Sequence, residues 1–231
     1  MEGSQEGGVE VSAPRVLRSL PGRETLELGA CVEKRCTERW ALSRRSPGAI
    51  EYDNLRGLAL DGIPVPRALS WSSERSGPLR LARRSVVAME RIEHQETLRE
   101  RLFRAAPGER RALGEKLLAL VVRLHQAGWC HRDLYLQHFV LRGEELVLLD
   151  VGRARRGRSL RARWFEKDLA ALLHSCPRSV TPRERLRFLR AYLEARGIGP
   201  RAGWLAAILR REARMAAHRP KHGETRPWED L

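Results

Sequence analysis

Apolar and polar residues follow two different patterns along the chain, and the change between them predicts two regions. From Val16 to Met89 the apolar residues come in short runs separated by turn residues such as Pro21-Gly22, which is typical of strands. A single helical pattern over residues 49–61 interrupts these runs. After Glu93 the apolar residues recur at offsets of three and four, which predicts amphipathic helices. Strands followed by helices indicate an α+β protein with two lobes.

The first region predicts a small, strand-rich lobe over residues 13–92. Its short apolar runs are the expected strands: 16–20, 25–28, 30–34, 79–82 and 86–89. The last two of these runs predict a hairpin around a basic turn. Residues 1–12 are rich in Gly, Glu and Ser, and we expect them to be disordered.

The second region predicts a helical lobe over residues 93–218. Its amphipathic stretches are the expected helices: 109–126, 163–175, 183–195 and 203–217. One hairpin interrupts them, formed by the apolar runs 139–141 and 146–149. The polar segment 219–231 is expected to be a flexible tail.

Candidate chemistry concentrates in the segment Cys130-His131-Arg132-Asp133-Leu134, which precedes a hairpin ending in Asp150-Val151-Gly152. Phosphoryl transfer needs a carboxylate that orients the acceptor hydroxyl and accepts its proton, and Asp133 is placed for this role. A second carboxylate must hold Mg²⁺ against the phosphates, and Asp150 fits because hard divalent ions prefer oxygen ligands. The ordered combination of helix, His-Arg-Asp-Leu, hairpin and Asp-x-Gly weighs against two unrelated surface acids.

The pattern His-Arg-Asp-x-Tyr-x-x-His-Phe in this segment resembles the lipopolysaccharide core kinases, the Kdo and heptose sugar kinases of Gram-negative bacteria. The resemblance implies a bilobal protein-kinase-like fold, ATP and Mg²⁺ as cofactors, and a catalytic loop made by His131, Arg132 and Asp133. Ordinary protein kinases have Asn where this chain has His138. The resemblance therefore implies that His138 lies near the metal and the phosphates with Asp150, and a histidine packed behind the site is the alternative.

The resemblance extends over residues 16–195. Lys34 is implied to contact the nucleotide phosphates and Glu51 to pair with it. The neighbouring Arg35 is the alternative contact, and a solvated acid in a first helical turn is the alternative for Glu51. The implied hinge that meets adenine through backbone hydrogen bonds consists of Met89, Glu90 and Ile92.

Downstream, residues 163–170 resemble the family's Arg-Trp-x-x-Lys-Asp-Leu segment, and this implies that Asp168 braces the catalytic loop from beneath. The chain also departs from the pattern, because it lacks a Gly-rich phosphate loop and has Val151 in the middle of the metal turn. It is shorter than typical members, mainly between the third strand and the first helix.

Charge adds to this picture, because 44 Lys and Arg residues against 29 Asp and Glu residues give a net charge of +15. Such a chain favours anionic partners, here ATP and an anionic glycolipid or saccharide acceptor. The arginine-rich run 153–163 is where a kinase would present its acceptor-binding loop. As an alternative, this run is a solvated loop, and the abundance of Arg reflects genome composition.

Location is expected to be cytoplasmic, since no secretion signal or membrane-spanning stretch is evident and the four cysteines lack metal-binding spacing. Peripheral contact with the cytoplasmic face of the inner membrane is compatible with the charge. Trp204 and Trp228 are candidate contacts, and core packing or chance occurrence is the more common alternative for scattered tryptophans.

Other functions of the same fold stay open on the sequence alone. A Ser/Thr protein kinase or another small-molecule kinase is the first alternative, and Tyr135 and His138 argue mildly against the former. A pseudokinase scaffold is the second alternative, favoured by the missing Gly-rich loop. Nucleic-acid binding rests only on net charge and lacks a reader motif, so no nucleic-acid partner is expected.

Overall fold

The computed structural model describes residues 13–157, 160–199 and 201–217. These residues form two compact units, one made of residues 13–52 and 67–91 and the other of residues 53–66 and those from 92 onward. The division expected after residue 92 placed residues 53–66 in the first region, whereas the structure groups them with the second unit. The segments predicted to be disordered or flexible, 1–12 and 219–231, lie outside the described residues.

The first unit is built on an antiparallel sheet of five strands in the order β1-β2-β3-β5-β4. The strands are β1 Arg15–Leu20, β2 Arg23–Leu28, β3 Cys31–Glu38, β4 Ala68–Ser76 and β5 Ala82–Glu90. Buried and less buried positions alternate along β5, because this strand lies inside the sheet between β3 and β4. The strand β3 carries Lys34 through the middle of the sheet.

The predicted turn at Pro21-Gly22 joins β1 to β2. Gly22 has a φ of 74°, and a Cβ atom at this position would lie 2.8 Å from the carbonyl oxygen of Thr37. Both the left-handed backbone and the close approach require glycine.

The predicted hairpin over residues 79–89 is wrong in its first strand and its turn. Pro78–Arg80 forms a short 3-10 turn, and β5 runs unbroken through the basic residues that were expected to be the turn. The true partner, β4, is an edge strand whose residues are mostly exposed and polar. It therefore lacks the apolar alternation on which the prediction depended.

The first helix, α1, extends from Pro47 to Leu60 and matches the predicted helix within two residues. Its start is held by β5, because the Ser85 hydroxyl accepts a hydrogen bond from the Gly48 N–H at 3.3 Å. The first turns of α1 belong to the first unit and the remainder to the second. This anchoring sets the position of Glu51 next to the sheet.

The second unit is mainly helical, as expected. Its helices are α2 Leu98–Arg104, α3 Pro107–Gln126, α4 Ala162–His174, α5 Pro182–Ala195 and α6 Arg201–Ala217. Its short strands are β6 Trp129–Cys130, β7 Phe139–Arg142, β8 Glu145–Leu148 and β9 Arg155–Arg156. Helix α3 packs against α5, and α4 packs against α6. The β7–β8 hairpin packs its apolar face on Ile92, which forms a buried cluster with Val140 and Val147.

The end of α1 fixes the strand that leads into the predicted catalytic loop. The indole ring of Trp129 in β6 lies against Gly57, where a Cβ atom would come within 2.8 Å of the ring. The Trp129 indole N–H also donates a hydrogen bond to the Asp61 carboxylate at 2.7 Å. Both contacts lie within the second unit and position β6 immediately before His131. Among the described residues, no helix has the length and apolar character needed to cross a bilayer.

Candidate active site

The loop that follows β6 is held from beneath by one buried carboxylate. Asp168 on α4 is fully buried, and its two oxygens accept hydrogen bonds from the backbone N–H groups of His131 and Arg132, both at 2.7 Å. Arg132 has a φ of 75°, a left-handed conformation that is unfavourable for a residue with a Cβ atom. Hydrogen bonds to a charged acceptor are strong, so Asp168 stabilises this strained backbone as the resemblance implied.

Asp168 is itself held by a second buried layer that the sequence did not reveal. The Nε2 atom of His125 on α3 lies 3.3 Å from Asp168, and its Nδ1 atom lies 2.7 Å from the hydroxyl of Tyr192 on α5. Burial lowers the pKa of His125, although the nearby Asp168 carboxylate opposes this shift. A neutral ring can donate through Nε2 to Asp168 and accept the Tyr192 proton on Nδ1.

The side chains of His131 and Arg132 make contacts within the protein that support the loop. The His131 ring is buried, and its Nε2–H donates to the Leu149 carbonyl oxygen at 3.1 Å. The Arg132 guanidinium lies 5.3 Å from the centre of the Trp164 ring, a cation–π contact. Of the three predicted catalytic residues, Asp133 is therefore the one whose geometry suits contact with a substrate.

The Asp133 carboxylate is flanked by two cations. One oxygen lies 2.7 Å from Arg153, and the other lies 3.5 Å from Lys167 on α4. The side chain keeps a relative exposure of 20%, so it can still be approached from solvent. Neither cation was expected beside Asp133, although Arg153 begins the arginine-rich run that was expected to contact the acceptor. The available signal was the position of Lys167 directly before Asp168, which supports the same loop.

Asp150 occupies a different environment, at the start of a short turn after β8. Its backbone is left-handed with φ 54° and ψ 53°, and its side chain is 48% exposed. The Nε2 atom of His138 lies 3.8 Å from the Asp150 carboxylate, while its Nδ1–H donates to the Asp133 carbonyl oxygen at 2.9 Å. His138 therefore connects the loop that carries Asp133 with the turn that carries Asp150.

The turn itself is fixed by an asparagine that sequence reasoning missed. The Asn54 side-chain amide donates to the carbonyl oxygens of Val151 at 2.9 Å and Ala154 at 3.0 Å. Asn54 lies on the part of α1 that belongs to the second unit. A single amide thus holds both ends of the turn that presents Asp150.

The residues of this turn fit a magnesium ion of the kind that accompanies a nucleotide. No three His, Cys, Asp or Glu side chains converge into a ready-made metal site in the part of the chain that the structure describes. Mg²⁺ in phosphotransfer sites is held by one or two carboxylates, and phosphate oxygens and water complete its shell. The exposed Asp150 carboxylate meets this requirement, whereas the His138 imidazole is a poorer ligand for magnesium.

In the first unit, the structure brings Lys34 and Glu51 together as the resemblance implied. The Lys34 ammonium on β3 lies 2.6 Å from the Glu51 carboxylate on α1. Glu51 is buried and Lys34 is partly exposed. The alternative contact, Arg35, is exposed and bonds to the neighbouring Glu33 at 2.5 Å. The Lys34 side chain is therefore the one directed to α1.

The three residues of the implied hinge lie at the end of β5 and just beyond it. Met89 is buried in β5, and the Glu90 N–H already donates to the Arg67 carbonyl oxygen at 2.9 Å. Ile92 belongs to the second unit, where its side chain is buried beneath the β7–β8 hairpin. The Glu90 N–H is thus already engaged within the first unit, Met89 lies in the strand ladders on both sides of β5, and adenine contact by these residues stays a prediction.

Part of the arginine-rich run 153–163 is committed to contacts within the second unit. Arg156 bonds to Asp61 at 3.0 Å, and Arg163 lies 5.0 Å from the centre of the Trp164 ring. Arg153 contacts Asp133 as described above, and Arg158 lies outside the described residues. Arg153 is thus the member of the run that reaches the predicted catalytic carboxylate.

Cys130 is the residue that directly precedes the loop. Cys130 is fully buried, and burial raises the pKa of its thiol to about 11. A thiol with such a pKa is protonated at neutral pH and unreactive. Cys130 therefore acts as an apolar side chain beneath the loop.

Comparisons with known proteins point to one family. The model of the "Lipopolysaccharide kinase (Kdo/WaaP) family" matches residues 27–192. The lipopolysaccharide core heptose(I) kinase WaaP of Pseudomonas aeruginosa is 29% identical, over 94% of this chain and 91% of that protein. A 3-deoxy-D-manno-octulosonic acid kinase of Xanthomonas axonopodis pv. citri is 30% identical, over 69% of this chain and 65% of its own length.

A solved structure, WaaP in complex with acyl carrier protein, is similar with a TM-score of 0.66 and 29% identity, covering 88% of this chain and 89% of that chain. These findings confirm the expected protein-kinase-like α+β fold and the family resemblance.

Proposed function

Because the chain belongs to the lipopolysaccharide kinase (Kdo/WaaP) family, it is an ATP-dependent sugar kinase, and we propose that its acceptor is a Kdo or heptose hydroxyl of the lipopolysaccharide core. The observation that carries the proposal is the Asp133 carboxylate, which lies on a braced loop next to Arg153 and Lys167. A carboxylate suits proton removal from an alcohol, and the adjacent cations suit the phosphoryl group that is transferred to it.

In the proposed mechanism, Asp133 orients the acceptor hydroxyl and accepts its proton as the oxygen attacks the γ-phosphorus of ATP. The bond between the γ-phosphorus and the bridging oxygen breaks, and ADP leaves. Lys167 offers a positive charge to the phosphoryl oxygens from the other side of the same carboxylate. Asp168 keeps the loop backbone in the conformation that presents Asp133. The pre-formed loop spares the enzyme the cost of ordering it during the reaction.

The proposed metal role belongs to Asp150. When bound, Mg²⁺ would neutralise phosphate charge as it does in other phosphotransferases. Asn54 holds the turn that presents the Asp150 carboxylate, and His138 lies beside it. Lys34 is proposed to contact the nucleotide phosphates, with Glu51 keeping its ammonium group in place.

Arg153 supports an anionic acceptor. It is 57% exposed, and its contact with Asp133 is a surface ion pair, which is worth at most about 1 kcal/mol. An acceptor that takes the hydroxyl-binding position can displace this pair cheaply and then receive the guanidinium on its own negative group. An acidic sugar such as Kdo, or a neighbouring phosphate on a lipopolysaccharide core, supplies such a group.

An acyl carrier protein is a proposed partner, since the similar solved structure holds one. An apolar groove in the second unit supports a partner of this class. The groove has a volume of about 640 Å³, and its apolar lining includes leucines of α3, α4, α5 and α6. We expect calorimetry to detect tighter binding of an acylated carrier protein than of an unacylated one. Substituting the groove residues Leu205 and Leu209 by Gln should remove that difference, and equal binding of both forms would contradict the proposal.

The test of the catalytic proposal is transfer of labelled γ-phosphate from Mg-ATP to deacylated lipopolysaccharide core, to Kdo-lipid A and to a generic basic protein. Label should reach a saccharide, and Asp133→Asn and Asp150→Asn should each strongly lower its transfer, Asp133→Asn by about 10²–10⁴-fold. The exposed Asp53→Asn substitution on α1 is the matched control and should leave transfer intact. Label on the protein alone would favour a protein kinase, and no transfer together with no ATP binding would leave a scaffold.

A further inference from the structure

The most exposed large apolar side chains of the first unit lie in two neighbouring segments. Trp40 and Leu42 are 71% and 85% exposed, in the loop 39–46 between β3 and α1. Leu79 is 89% exposed, in the connection 77–81 between β4 and β5. Single exposed leucines are common on protein surfaces, but three such side chains in one area indicate an interaction surface.

Backbone contacts bring the two segments together. The Ala41 N–H donates to the Leu81 carbonyl oxygen at 2.7 Å. The Arg75 guanidinium bonds to the carbonyl oxygen of Ser43 in one segment, at 3.0 Å, and of Arg80 in the other, at 3.2 Å. We call the combined surface of residues 39–46 and 77–81 the loop–tip surface.

The exposure of these side chains follows from a fixed backbone. Ala41 is buried, so Trp40 and Leu42 on either side of it are left in solvent. The fully buried Arg83 donates to the Ser43 carbonyl oxygen at 2.9 Å and to the Glu38 carboxylate at 2.7 Å, which anchors the loop to the sheet. Leu79 has a φ of 56°, a strained conformation for a leucine. Strained backbone conformations of this kind cluster at functional sites.

Positive charge surrounds the apolar side chains. The exposed arginines within and beside the loop–tip surface are Arg39, Arg44, Arg45, Arg80 and Arg84. Over residues 39–46 and 74–84 the exposed acid is Glu74, and it lies opposite Arg84 across the β4–β5 pair. The surface is therefore strongly positive.

From this combination we infer that the loop–tip surface docks on an anionic lipid bilayer. Tryptophan is favoured at the headgroup level, leucine inserts just below it, and arginine pairs with lipid phosphates. Arginine and tryptophan also occur at protein–protein interfaces. The charge balance favours the bilayer, because five exposed arginines accompany one exposed acid, and a cluster of this size and single sign matches an anionic lipid surface. The inference goes beyond the proposed function and does not depend on it.

The loop–tip surface differs from the membrane contact that the sequence suggested, which consisted of Trp204 and Trp228. Trp204 is only partly exposed on α6, and Trp228 lies outside the described residues. The loop–tip surface presents its apolar groups far more fully, together with the charge that an anionic bilayer attracts.

The test is co-sedimentation of the full chain with vesicles of phosphatidylcholine, with or without phosphatidylglycerol. The chain should sediment with the anionic vesicles and much less with the neutral ones. A triple variant, Trp40→Ser, Leu42→Ser and Leu79→Ser, should weaken binding by about tenfold or more, because each side chain loses its burial in lipid. Replacing Arg39, Arg44 and Arg80 by Gln should cost about fivefold each at low salt. Leu60→Ser is the matched control, since Leu60 is 85% exposed outside this surface, and it should change nothing.

The inference is overturned if the wild-type chain does not bind anionic vesicles, or if the triple variant binds as the wild type does. It is also overturned if Leu60→Ser weakens binding equally. Thermal unfolding should show that the triple variant is folded, because the three side chains make little buried contact. Phosphate transfer by the triple variant to a water-soluble, deacylated acceptor should remain at the wild-type level, which separates a failure of docking from a failure of the proposed function.

Discussion

The loop that carries Asp133 and the turn that carries Asp150 are built in opposite ways, although both lie in the second unit. The loop rests on three buried layers, in which Asp168 holds its backbone, His125 holds Asp168, and Tyr192 holds His125. The turn is held mainly by Asn54, and its Asp150 carboxylate is exposed. The residue proposed as proton acceptor is thus fixed in advance, whereas the residue proposed as metal ligand is left exposed for a bound nucleotide and its metal.

The two carboxylates differ in what their burial requires. Asp168 is a carboxylate without solvent exposure, which is costly unless it is fully hydrogen-bonded. Its partners are two backbone N–H groups and one imidazole, so the cost is offset by bonds that also set the geometry of the loop. The exposed Asp150 requires no such compensation, and its geometry is correspondingly less determined by the protein.

The largest effect is expected from the two site acids themselves. Asp133→Asn should lower kcat by about 10²–10⁴-fold, because the amide cannot accept the acceptor proton. The midpoint of urea unfolding should stay close to wild type, since the contacts of Asp133 are with partly exposed cations. Steady-state kinetics and urea titration on the same preparation check both statements. A large loss of stability would place Asp133 among the bracing groups instead.

The next effect is expected at the brace. Asp168→Asn should lower the free energy of unfolding by about 3 kcal/mol, because a buried amide cannot accept both backbone N–H bonds with a carboxylate's strength. It should also lower kcat, since the loop loses its support. Urea unfolding measures the first effect, and the exposed Asp53→Asn substitution is the control. Wild-type stability with reduced activity would contradict a bracing role.

A smaller effect is expected at the turn. Asn54→Ala removes both bonds to the turn and should lower the free energy of unfolding by about 1–2 kcal/mol. The concentration of Mg²⁺ that gives half-maximal activity should rise, because Asp150 is then presented less well. The Mg²⁺ dependence of transfer at saturating ATP gives the readout. An unchanged Mg²⁺ requirement would contradict the proposal that Asn54 positions Asp150 for the metal.

The smallest effect is a pH dependence that arises from His125. Its pKa in the folded protein is lowered by burial from the ordinary value of 6.5, so the unfolded chain binds the proton more readily. The stability that depends on neutral His125 is fully present above pH 6.5 and is lost as the pH falls below it, by at most about 1.4 kcal/mol per pH unit. Unfolding at pH values from 7.5 to 5 should show this slope, and His125→Gln should flatten it. An equal slope in both proteins would exclude His125 as its source.

The segments that carry the candidate site residues could be found from the sequence because their signals are local. Asp133, Asp150 and Lys34 stand in short motifs flanked by predicted elements, and the structure places Lys34 against Glu51. The helices α3 to α6 were predictable for the same reason, since each has a continuous apolar stripe.

The supporting residues were not predictable, because their contacts join distant parts of the chain. Asn54 reaches a turn 97 residues away, and His125 reaches Asp168 across 43 residues. Neither stands in a motif that indicates its partner. The edge strand β4 was missed for a different reason, because its exposed polar residues resemble a loop.

The buried thiol of Cys130 allows opening of the loop that carries Asp133 to be measured. Thiol reagents attack only an accessible thiolate, and this group is neither accessible nor ionised while the loop is closed over it. The other three cysteines are only partly buried and would be replaced by serine. The rate of Cys130 alkylation would then report how often the segment before His131 separates from the core. A nucleotide or sugar that stabilises the closed loop would lower this alkylation rate, and the effect can be measured without following phosphate transfer.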